Sequence, residues 1–197
     1  IEDYVSPLFY APNVSWLVQR NGMHPRHSLM ISLNASEGNH MHANGISMEL
    51  YGKGYVLGPD AGIGLYLYSG LDYAEYYSQF PSHNTVCVDG ISSYPVMKSN
   101  HSFDLLSCFP ASSAAAAAKD KFPSVTYSDV YFREPESRAD QTRMMSIVTT
   151  GPETGYYVDI FRSRKERGGD KMHDYFYHNL GQEMTLAAAD GKALHLQ

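Results

Sequence analysis

The sequence predicts an all-β fold, an antiparallel β-sandwich forming one domain over residues 1–197, on three observations. Tyrosine is abundant at 16 residues, and most of it falls in short runs where apolar and polar positions alternate, as in half-buried strands. Those runs recur at roughly ten- to twenty-residue intervals with turn residues between them. No long stretch holds the 3.6-residue period of an amphipathic helix.

The first clear element is a hairpin over residues 46–58, ISMELYGKGYVLG, turning at Gly52-Lys53-Gly54. Residues 84–90, NTVCVDG, make a short strand closed by Asp-Gly, with Cys87 as a buried free thiol. Further strands are expected at 124–132, 142–151, 155–163 and 173–179. Between them, SSAAAAAKDKF at 112–122 is either a helical turn too short to stand alone or a small-residue strand. No repeat or linker divides the chain, and 197 residues that are 43% hydrophobic suffice for one core.

Composition narrows the function classes. With 21 acidic against 15 basic residues the chain carries −6, and its Lys and Arg are not massed on one face, so no nucleic acid is expected as partner. No run of about 18 apolar residues occurs, so no membrane span is expected. Two cysteines, Cys87 and Cys108, are too few for a disulfide framework. No basic-then-apolar signal opens the chain, and a start at Ile1 points to a processed protein or part of a longer one.

The chemistry-bearing residues cluster at predicted strand ends. In GNHMHANG, residues 38–45, His40 and His42 lie two apart, which on extended chain puts both imidazoles on one face. Such a pair alone is more often two surface histidines than a metal site. Asp60 follows the strand YVLG just past Pro59, and His83 opens the strand HNTVCV. Two imidazoles and a carboxylate are a usual protein set for zinc, with a fourth position left for water or another group.

On these residues, GNHMHANGISMELYGKGYVLGPDAG followed by HNTVCVDG, the chain resembles the heparinase II/III-like C-terminal module of polysaccharide lyases. The likeness is specific from about Asn34 to Gly90 and looser to Gly181, through YYVDIF and HDYFYHNLG. The resemblance implies that a structural zinc is held by His42, Asp60 and His83, and that His40 faces the substrate. The intervals of 18 and 23 residues between those three fit that arrangement. Where the family often has aspartate this chain has Asn44, so a charge at that position is not expected.

The resemblance further implies an acidic, uronate-containing polysaccharide substrate cleaved by β-elimination, in a periplasmic or secreted setting. It implies an N-terminal α-helical toroid supplying a catalytic tyrosine, so this chain is expected to be the C-terminal part of a longer lyase or an isolated module. Removing a weakly acidic C5 proton requires a base, an acid for the leaving oxygen, and donors around the carboxylate. A histidine can serve as base or acid because its unperturbed pKa is about 6.5. The alternatives are a zinc-stabilised carbohydrate-binding or interaction module without catalysis, and a hydrolase using an open zinc position.

Several other residues have plainer readings. RSRKER, residues 162–167, reads as a solvated hairpin tip in preference to a polyanion patch. His173 and His178 are expected on opposite strand faces, and His24 and His27 on a surface turn. Tyr66 and Tyr68 share a face, for packing or for lining a cleft. Asn13, Asn34 and Asn100 fit the glycosylation acceptor pattern, which carries no weight by itself.

Overall fold

The computed structural model describes residues 5–62, 64, 71–91, 98–111, 122–169, 171–181, 183 and 185–194. In chain order the first strands are β1 (Leu8–Ala11), β2 (Trp16–Arg20), β3 (Leu29–Asn34), β4 (Ser36–Asn39), β5 (Ser47–Gly52), β6 (Tyr55–Gly58) and β7 (Val86–Val88). They are followed by β8 (Lys98–His101), β9 (Asp104–Phe109), β10 (Val125–Arg133), β11 (Asp140–Gly151) and β12 (Thr154–Arg164). Short strands β13 (His173–Tyr175), β14 (Leu186–Ala187) and β15 (Ala193–Leu194) close the chain. Helical geometry among the described residues is confined to short turns around Pro12–Val14, Tyr73–Tyr77 and Phe80–Ser82.

The sandwich expectation holds. A five-stranded sheet of order β1-β2-β3-β5-β6 faces a four-stranded sheet of order β12-β11-β10-β9, and every pairing is antiparallel. Alternation along each strand makes the core. Leu17, Ile31, Leu33, Met48 and Leu50 from the first sheet meet Val130, Phe132, Met145 and Ile147 from the second, all buried. Burying each such side chain contributes about 1.5–3 kcal/mol relative to leaving it exposed.

The predicted hairpin appears as β5 and β6 joined through Lys53 and Gly54, both at positive φ (57° and 83°), the backbone of a two-residue type I′ turn. Strands predicted at 124–132, 142–151 and 155–163 appear as β10, β11 and β12. The strand predicted at 84–90 narrows to β7, because Asp89 and Gly90 both turn away at positive φ. The one predicted at 173–179 narrows to β13, which pairs with β7. The alanine run at 112–121 and the pair Tyr66 and Tyr68 lie outside the described residues.

The reading of 162–167 as a hairpin tip needs correction. Arg162 and Arg164 belong to β12, paired with Thr142 and Asp140 of β11, so the ladder runs on through half of that segment. Lys165 then pairs with Asp89, and Arg164 with Glu166 at 2.8 Å, which neutralises much of the run.

Candidate active site

The site lies at one end of the first sheet, where three chain segments converge. The first is the stretch after β4. His40 has φ +60, so the chain leaves the strand there and the two histidines are not neighbours on extended backbone as the sequence suggested. Both nonetheless line one cleft of about 620 Å³ with Asn44, Asp60 and His83. The stretch is tied down by the Ala43 N–H, which donates to the Ser78 carbonyl at 2.9 Å. Gly45 holds φ +56, and a Cβ there would come within 2.7 Å of the Phe80 ring, so glycine is required.

The second segment delivers Asp60 just past the end of β6, and the third delivers His83 from a 3₁₀ turn at Phe80–Ser82 that leads towards β7. Nδ1 of His83 lies 2.9 and 2.8 Å from Oδ1 and Oδ2 of Asp60. Ser47 Oγ donates to Asp60 Oδ2 at 2.8 Å, and the Gly62 N–H to Oδ1 at 3.3 Å. The His42 ring stands 5.4 Å from that of His83 and 5.4 Å from that of Tyr73. His40 is exposed at the rim.

Electrostatics differ among these groups. Burial would raise the Asp60 pKa, but the His83 hydrogen bond and charge, with Ser47 and Gly62, outweigh it and hold the carboxyl below its ordinary 3.8. Burial and the neighbouring His83 push His42 below its ordinary 6.5, against the opposing pull of Asp60 and a hydrogen bond to the Tyr77 backbone. The site therefore holds an anionic carboxylate beside an imidazole that stays neutral.

These residues suit zinc in donor chemistry. His83 is 2% exposed, its Nδ1 is turned to both carboxylate oxygens of Asp60, and the His42 ring stands beside it, so two imidazoles and a carboxylate, a usual protein set for zinc, meet here. Among the described residues no group of three His, Cys, Asp or Glu is already drawn together as a cage. The Asp60–His83 contact accounts for part of this: two ligand atoms about 2.0–2.1 Å from a tetrahedral zinc lie about 3.3 Å apart, wider than a hydrogen bond.

Two residues that sequence reasoning missed hold the three segments together. Asn84 Nδ2 donates to the carbonyls of Met48 and Pro59, both at 2.9 Å, next to Ser47 and Asp60 respectively. Its Oδ1 accepts the His178 N–H at 2.6 Å. Arg143, fully buried on β11, donates from Nη1 to the Ile46 carbonyl at 2.7 Å and the Asn84 carbonyl at 2.6 Å. Its other nitrogens form a two-point pair with Asp159 at 3.0 and 2.7 Å. Alternation could have found it, since Arg143 shares a face with Met145 and Ile147.

The remaining histidines singled out from the sequence, apart from His178, lie away from the cleft. His173 bonds Ser163 Oγ at 2.8 Å, and His24 stacks on His27 with ring centroids 4.1 Å apart. Asn44 is buried and donates to Asn34 Oδ1 at 2.6 Å, a neutral tether at that position.

Residues 6–158 match the profile of the heparinase II/III-like C-terminal domain. An endo-acting ulvan lyase from Formosa agariphila is 30% identical over 166 residues, covering 80% of this chain and 20% of that protein. Among solved structures, a heparinase III superposes with a TM-score of 0.67 at 14% identity, over 93% of this chain and 25% of the other. A heparan sulfate lyase from Pedobacter heparinus gives 0.58 at 16% identity, over 81% and 22%. The chain thus spans about a fifth to a quarter of the length of these relatives.

Proposed function

The chain belongs to the heparinase II/III-like family through that family's C-terminal domain, and from this premise we propose that it is the β-sandwich of a lyase cleaving a uronate-containing polysaccharide by β-elimination. One observation carries the reading: an exposed imidazole, His40, shares a cleft with His42 and the paired Asp60 and His83. In the elimination the C5 proton leaves to a base and a double bond forms between C4 and C5. The bond from C4 to the glycosidic oxygen breaks, and that oxygen takes a proton. His40 is the group offered to the substrate, since an imidazole can accept or donate near neutral pH.

His42, Asp60 and His83 would hold a zinc ion, which supplies a fixed positive charge that orients the segment carrying His40. Elimination consumes no water, so this structural role is preferred to activation of a water molecule. Asp60 contributes a carboxylate and His42 a neutral ring. The catalytic tyrosine is placed on a helical toroid elsewhere in a longer polypeptide, consistent with relatives of which this chain covers 20–25%. A polymeric substrate of this kind is met in the periplasm or outside the cell.

The test is the ultraviolet absorbance of unsaturated uronate ends released by the full-length parent. Product that vanishes with His40→Ala supports the lyase, and product that persists in that variant removes His40 from the chemistry. Polysaccharide binding with no product from the parent favours a zinc-stabilised binding module, for which the exposed Trp16 and Tyr55 speak. Products without an unsaturated end would instead mark a hydrolase.

A further inference from the structure

Outward-facing side chains of the first sheet form three rows across its strands: Trp16, Asn34 and Ser47; Val18, Ser32 and Glu49; Arg20, Met30 and Tyr51. The first row touches the candidate site, because Ser47 holds Asp60. Four residues along a strand separate it from the last row, about 13 Å. The site cleft runs the whole distance and includes Trp16 and Arg20. A second cleft of about 280 Å³ shares Arg20, Met30 and Tyr51 and continues to His24 and Tyr55. The two make one trough along the sheet, long enough for a polymer, with Arg20 at its waist.

Arg20 is half-buried and poorly matched. Its Nε is buried with no hydrogen-bond partner, and its Nη1 reaches only the Met23 sulfur, at 3.8 Å. It forms no ion pair among the described residues. Glu49, one row away, is engaged by the Tyr51 hydroxyl. Burial lowers the Arg20 pKa, with no neighbouring carboxylate opposing it. A partly desolvated guanidinium without acceptors is costly, and its planar fork matches the oxygens of a carboxylate or a sulfate ester.

We propose that Arg20 is an anion receptor in the substrate trough, binding an acidic group on a sugar further along the chain from the unit at His40. The proposal rests on the lyase reading and adds to it: the sandwich holds an anionic group beyond the unit at His40 and lays the polymer along the strands. The shared chemistry is an oxyanion, from either a sulfate ester or a uronate carboxylate.

The test is calorimetric titration of this chain with ulvan oligosaccharides, with the same material desulfated, and with the same material carboxyl-reduced. Arg20→Gln should weaken binding of the unmodified oligosaccharide about ten- to a hundredfold. Whichever modification weakens wild-type binding equally, and has no further effect on the variant, identifies the anion. Arg20→Met removes the charge while keeping an apolar stem, so its melting temperature should hold or rise while binding falls. Variants that bind as the wild type does, or a wild-type chain that binds none of the oligosaccharides, would overturn the proposal. In the parent, KM should rise with kcat unchanged. A parent that makes no unsaturated product refutes the lyase reading separately, through an assay that needs no Arg20 variant.

Discussion

Nδ1 of His83 sits within 2.9 Å of both oxygens of Asp60, a residue 23 positions earlier. Neither residue is in a strand: Asp60 lies just past β6, and His83 just ahead of β7. Their meeting depends on Asn84, whose amide bonds the carbonyl of Pro59 beside Asp60. The adjacent His-Asn pair thus joins a candidate ligand to the clamp that positions its partner.

Metal removal should cost stability without unfolding the chain. A zinc-finger peptide gains about 10–16 kcal/mol from its metal, but this sandwich has a core of its own. Elemental analysis should find about one zinc per chain, and a strong chelator should lower the melting temperature by several degrees. His83→Ala should abolish that response. An unchanged melting temperature in a chain found to hold no zinc would refute the metal assignment.

His40 and His42 should separate in their effects. His40 is exposed, so His40→Ala should leave the melting temperature within about a degree of wild type while the parent loses product. His40→Gly relieves the φ of +60 and should stabilise the fold by about 1 kcal/mol, measured by denaturant titration. His42→Ala, by contrast, should reduce both stability and zinc content. If His40→Ala lowers the melting temperature as much as His42→Ala does, the two have no such division of labour.

Acid should destabilise the metal-free chain from two directions that share one sign. His42 is held below 6.5, so the unfolded chain takes up its proton first; stability is full above about 6.5 and falls as pH drops below it. Asp60 is held below 3.8, so its contribution is complete above that value and is lost as pH falls through the lower folded pKa. Melting temperature against pH should be level above 6.5 as far as these groups are concerned, then decline. His42→Gln should flatten the upper part of that decline, and a profile that rises on acidification would contradict both assignments.

Arg143 should be among the most sensitive positions in the chain. Arg143→Ala takes the guanidinium from Asp159, which keeps the Tyr175 hydroxyl, and leaves two buried site carbonyls without those donors, at a cost of about 1–3 kcal/mol for each unmet carbonyl. Arg143→Lys cannot reproduce the two-point pair and should also fall well short of wild type. Chemical denaturation of both variants checks this, and a loss below about 1 kcal/mol, the worth of an ordinary hydrogen bond, would show that the network is dispensable.

The late strands and the 46–58 hairpin were legible because alternation there is clean. β1, β2 and β3 were not. In β2, Gln19 faces inward, bonded to the Met145 carbonyl, while Trp16 and Val18 face outward, so the expected pattern is inverted. In β3, Met30 faces outward among apolar neighbours and hides the period. The site residues were recognisable by type and by their place near strand ends. Their assembly was not, because it depends on Asn84 and Arg143: alternation puts Arg143 on the inward face of its strand, but the carbonyls that both residues clamp come from other segments and are known once the sheets are stacked. The late basic run misled for the opposite reason: its charge suggested a loop where Arg162 and Arg164 continue a strand.

Alternate residues of the first sheet serve different masters. Positions 17, 31, 33, 48 and 50 face the core, while 16, 18, 20, 30, 32, 34, 49 and 51 line the trough. On the proposed reading, the partly exposed positions of the trough can change while the packing beneath stays fixed, so one scaffold would be retuned between polysaccharides of different charge and branching by point substitutions. A library randomised at 16, 20, 30 and 49, none of them fully buried, would explore new specificities with little loss of folded clones.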